Sequence, residues 1–68
     1  MNFSQYLLEV TYTHYNNQEL RYGQTCYNVL HEINPEAAEE ITGTFLDPFH
    51  DDAGVPEFLR YVRGVLDE

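Results

Sequence analysis

Tyr22, Cys26, Val29 and Ile33 recur at steps of four, three and four, with Leu30 beside them, and the series stops at Asn34-Pro35. That spacing lays one apolar stripe along an amphipathic helix. Gln24, Asn28 and Glu32 fall on a different, polar face. The helix is expected to begin near Arg21 and to stop at Asn34, because proline disfavours helical geometry at the residue before it. Asn34 is then well placed to cap a second, short helix, with Pro35 at its first position and Glu36 at the positive end of its dipole. Ala37, Ala38 and Ile41 give that helix an apolar face, and Gly43 can end it in the left-handed conformation.

The flanking segments extend the pattern. From Ser4 to Tyr15, Phe3, Leu7, Val10 and His14 follow helical spacing, with Leu8, Thr11 and Tyr15 alongside. Ser4 suits the start and Asn16-Asn17 the end. Tyr6, Leu8, Val10 and Tyr12 also alternate like a strand, but no second strand is evident to pair with one. Residues Thr44–Gly54 read as an unusually apolar loop, with Phe45, Leu46 and Phe49 folded back over the helices. Pro56 opens a last helix whose inner stripe is Phe58, Leu59, Val62, Val65 and Leu66, with Arg60, Tyr61 and Arg63 outward. The expectation is a single all-α domain over residues 1–68, a compact bundle of three to four helices with one ordered apolar loop. The shared interior is expected to hold Leu7, Val10, Tyr22, Cys26, Val29, Leu30, Ile33, Ile41, Phe45, Phe49, Phe58, Leu59, Val62 and Leu66.

So small a chain has little core to spend. Its 68 residues include ten Tyr and Phe, which supply the bulk. Cys26 is the only cysteine, so no internal disulfide reinforces the fold. A homodimer interface would add burial. The lone cysteine favours a reducing cytoplasm over secretion. Neither a signal-type leader nor an apolar run of membrane-spanning length is evident.

Charge narrows the partners. Twelve acids stand against three arginines and no lysine, a net charge of -9. Phosphate recognition needs cationic density, so nucleic acid and anionic membranes are both disfavoured. A basic protein surface is the partner such a chain suits. Glu32, Glu36, Glu39, Glu40, Asp51 and Asp52 form the candidate docking face. Spaced carboxylates of this kind can also imitate a phosphate backbone.

Catalytic and metal patterns are not found in the sequence. Cys26 lies on the apolar stripe and reads as a buried small hydrophobe. His14, His31 and His50 show no relay spacing. Cys26, His31, His50, Asp51 and Asp52 hold ligand-type atoms without paired ligand spacing. The Asp47–Asp52 run fails as a calcium loop, since Phe49 and Asp52 stand where a ligand and a glycine are required and Pro48 intrudes. No enzyme, cofactor or metal role is expected.

Arg21 stands at the entry to the main helix, and the Asp47-Pro48-Phe49 turn offers a rigid carboxylate. Arg21 is expected to hydrogen-bond Asp47, or the carbonyls of Gly43–Pro48, with Gln24 and Asn28 completing a polar seam. Asp47 can also cap its own turn.

Arg21-Tyr22-Gly23-Gln24, Asn28-Val29-Leu30, Gly43-Thr44, Asp47-Pro48-Phe49 and Phe58-Leu59 together resemble short uncharacterised proteins of phages, prophages and bacteria. These share an Arg-x-Gly-Gln, Asn-x-Leu, Asp-Pro-Phe pattern. The resemblance spans roughly Arg21 to Leu59 and carries no established activity. It implies a context, the bacterial host cytoplasm, in which small proteins often bind and block host factors. The expected function is therefore a non-catalytic interaction module, an inhibitor or accessory factor directed at a basic host protein. The alternative is a structural, housekeeping homodimer whose acidity serves solubility alone.

Overall fold

A computed structural model of the chain describes residues 1–67 and is all-helical over them. Four α-helices follow in order: α1 (Phe3–Asn16), α2 (Tyr22–Ile33), α3 (Pro35–Ile41) and α4 (Val55–Asp67), with a single 3₁₀ turn at Asp52–Gly54 ahead of α4. The strand alternative for the first segment does not occur.

Capping explains where the helices start. α1 begins earlier than Ser4 would place it, with Asn2 as its cap, because Asn2 accepts from the Gln5 N–H and the Gln5 side chain answers to the Asn2 N–H. That reciprocal pair satisfies two otherwise orphaned donors. Asn17 closes the helix, as expected. Asn34 serves twice: its N–H ends α2 on the Leu30 carbonyl, and its side chain accepts from Ala37 N–H to open α3. Gly43 adopts φ +81 just beyond α3.

The interior is built from α1, α2, α3 and α4 together. Tyr6, Val10, Cys26, Val29, Leu30, Ala37, Ala38, Ile41, Phe58 and Val62 form the buried cluster. Leu7, Tyr22, Ile33, Leu59 and Leu66 pack against it half-buried. Three expectations need correction. Tyr6 is fully buried and donates its hydroxyl to the Cys26 carbonyl at 2.7 Å, so the inner stripe of α1 runs through Phe3, Tyr6 and Val10. Phe45 does not reach the core. It sits on the outer corner of the turn closed by Asp47 N–H on the Thr44 carbonyl and is 84% exposed. Tyr61 does not face outward. Half-buried, it donates to the Ala37 carbonyl at 3.1 Å, tying α4 to α3.

Candidate functional site

The loop between α3 and α4 is clamped to the start of α2. Arg21 is the N-cap residue of α2, but its side chain bonds none of that helix's free N–H groups. The missing acceptor comes from far along the chain: Asp52 Oδ1 accepts from the Gly23 N–H at 2.9 Å. A carboxylate there satisfies a free helix donor and sits at the positive end of the dipole. The same oxygen lies 3.7 Å from Arg21 Nε, and an Arg21 amino group donates to the Phe49 carbonyl. The Pro48 carbonyl rests directly on the Cα of Gly23, where any Cβ would overlap it.

Arg21 therefore ties the loop to α2, but not through Asp47 and not through a carbonyl of Gly43–Pro48. Asp47 turns both oxygens on its own loop, Oδ2 accepting from Gly43 N–H at 2.9 Å and Oδ1 from Phe49 N–H at 3.0 Å. Among the described residues the guanidinium contacts Asp52 and the Phe49 carbonyl instead. Among the described residues, the Gln24 and Asn28 side chains make no hydrogen bond, so the seam ends at Arg21 and Gly23. Phe49 likewise stays outside the core and packs edge-on against Tyr27, ring centroids 5.5 Å apart. Tyr27 in turn shares a 2.6 Å hydrogen bond with Thr42.

The six candidate docking carboxylates are all exposed, but they fall into two groups. Asp51 and Asp52 sit at the beginning of α2 and have local work: Asp51 caps the 3₁₀ turn through Ala53 N–H, and Asp52 caps α2. Glu32, Glu36, Glu39 and Glu40 lie at the far end of α2 and on α3. Gly23 and Glu32 are nine residues apart on one helix, roughly 13 Å at the helical rise. In the second group, Glu39 lies 3.6 Å from His31 and Glu40 accepts from Tyr61. Hydrogen bonding to Glu40, together with burial as the larger effect, holds the Tyr61 phenol above its ordinary range.

Cys26 is fully buried in the core. Burial first, and the nearby Asp52 carboxylate second among the raising effects, push its thiol up to about 12. The thiolate that nucleophilic or redox chemistry requires is thus suppressed. Burial likewise raises the Tyr6 phenol, which keeps the proton it donates to the Cys26 carbonyl. Among the described residues, no three His, Cys, Asp or Glu side chains gather as a metal-holding group, and no helix is long and apolar enough to cross a membrane.

No known protein family matches the chain, and no curated protein or solved structure does either.

Proposed function

We propose that the chain is a non-catalytic protein-interaction domain that meets a basic protein surface with the side formed by the end of α2 and by α3. The supporting observation is a group of carboxylates with little internal compensation. Glu32, Glu36, Glu39 and Glu40 are exposed, and among the described residues no arginine pairs with any of them; the ion pairs are Arg21–Asp52 and His31–Glu39. Carboxylates at the end of α2 and on α3, of which only Glu39 has a basic neighbour, His31, project a field that steers a cationic surface toward them. Asp51 and Asp52 lie apart from this side, at the other end of α2, Asp51 capping the 3₁₀ turn and Asp52 capping α2.

The resemblance to short phage, prophage and bacterial proteins supports a bacterial cytoplasmic setting and a role as inhibitor or accessory factor. The test is capture from a bacterial lysate at low and high salt, with Glu36→Gln, Glu39→Gln and Glu40→Gln combined as the comparison. A protein partner that is retained at low salt, released at high salt and lost from the triple variant supports the reading. Equal retention by the triple variant, or retention of nucleic acid alone, defeats it.

A further inference from the structure

Leu8, Tyr12 and Tyr15 stand at steps of four and three on α1 and are 71%, 69% and 73% exposed. At 3.6 residues per turn they share one side of the helix, opposite the Tyr6 and Val10 side that enters the core. The polar residues flanking them on that outer side, Ser4, Gln5 and Thr11, are exposed and uncharged. A solvent-facing helix surface normally carries its charges outward. Here a chain with twelve acids places none on this face. Ten of the twelve lie from Glu32 onward, and Glu9, the one acid of α1, stands to the side with the Thr13 hydroxyl beside its carboxylate.

We propose that this face of α1 is the interface of a homodimer. Two copies with a net charge of -9 each repel one another, and the repulsion is least where carboxylates are missing from both. The outer face of α1 is such a place, and it is apolar as well. The spacing is self-complementary about a two-fold axis near Thr11 and Tyr12. An antiparallel pairing sets Leu8 against Tyr15 of the partner subunit, sets Tyr15 against Leu8 of the partner subunit, and brings the two Tyr12 rings together at the centre. The three side chains offer roughly 400–500 Å² per copy. With both copies and the flanking polar residues the contact reaches about 1,000 Å², below the about 1,200–2,000 Å² of stable specific interfaces and in the range of weak, transient ones. Such a dimer is expected to be reversible and concentration-dependent. It uses a different face from the acidic docking side, so either can fail without the other.

Sedimentation equilibrium across a wide concentration range, at low and high salt, tests it. The mass is expected to rise from the 8.0 kDa of one chain toward twice that value, and to rise at lower concentration when salt is high, because screening relieves the repulsion between copies. Leu8→Glu and Tyr15→Glu should each abolish the association while leaving the far-ultraviolet circular dichroism unchanged, and Phe45→Ser, equally exposed but off this face, should leave it intact. On dilution of the wild-type chain, the amide shifts that move should be those of α1. A mass that stays at one chain at every concentration in high salt overturns the proposal. So does association that survives Leu8→Glu and Tyr15→Glu, or dilution shifts centred on α3.

Discussion

Asp52 caps α2 from 29 residues further along the chain, its Oδ1 accepting the Gly23 N–H at 2.9 Å. The contact requires that residue 23 have no side chain. A Cβ at Gly23 would stand 2.7 Å from that same oxygen and would overlap the Pro48 carbonyl.

Two glycines in helices are thus expected to respond oppositely to alanine. Gly23→Ala gains helix propensity but must displace the backbone of the loop, and should destabilise by about 1–3 kcal/mol. Gly64, in α4 with nothing within 4 Å of its would-be Cβ, should gain about 0.5–1 kcal/mol on the same change. Urea midpoints of the two variants check this. A stabilised Gly23→Ala would mean that the loop does not rest on α2.

The clamp separates the two aspartates. Arg21 and Asp52 side chains are 49% and 47% exposed, so their coupling in a double-mutant cycle should be modest, about 0–1 kcal/mol. Asp52→Ala alone should cost about 0.5–2 kcal/mol as a lost cap. The Arg21–Asp47 cycle should give no coupling, although Asp47→Ala alone destabilises by freeing the Gly43 and Phe49 amides.

Leu30 has no exposed surface, and Leu30→Ala should cost about 2–5 kcal/mol. Leu59, half-buried at the edge of the core, should cost less. Phe45→Ser should fall within about 0.5 kcal/mol of neutral, as a surface change does. Thermal unfolding of the three orders them, and a large loss at Phe45 would return that ring to the interior.

Cys26 links stability to alkaline pH. Its thiol titrates at about 12 in the fold against an ordinary 9.0. Above pH 9 the unfolded chain gives up a proton that the native state retains, so the stabilisation is complete below that pH and is lost as pH rises toward 12. Cys26→Ala should make the decline across this window shallower. Thiol reagents should label the native protein slowly and the unfolded protein fast. Rapid native labelling would show that the thiol is accessible.

The helices and their caps at Asn17, Asn34 and Gly43 are legible in the sequence because each depends on residues close by. The stripe from Tyr22 to Ile33 and the stop at Pro35 contain the information for α2 locally. Tyr6 is not legible, since a tyrosine on a strand-like alternation reads as a surface residue until an acceptor for its hydroxyl is known. The Cys26 carbonyl that accepts it lies 20 residues away. Phe45 misleads for the converse reason: its hydrophobicity is plain, but the turn that points it outward is set by Thr44 and Asp47. The link between Arg21 and the loop can be anticipated from the lone arginine beside an apolar stripe. Its acceptors cannot, because several aspartates and carbonyls compete and only packing of Pro48 on Gly23 selects Asp52 and Phe49. The six candidate carboxylates divide into two groups for a related reason, as capping duties at Asp51 and Asp52 do not show in a count of charges.

The amide of Gly23 is also a single-site reporter. It belongs to the first turn of α2, where no preceding carbonyl of the helix can receive it, and its acceptor comes from residue 52. Two residues on, the Thr25 amide bonds the Arg21 carbonyl within its own turn. Lifting the loop away exposes the first to solvent and leaves the second protected. The ratio of their hydrogen-exchange rates therefore measures how often residues 44–54 detach while the four helices stay folded.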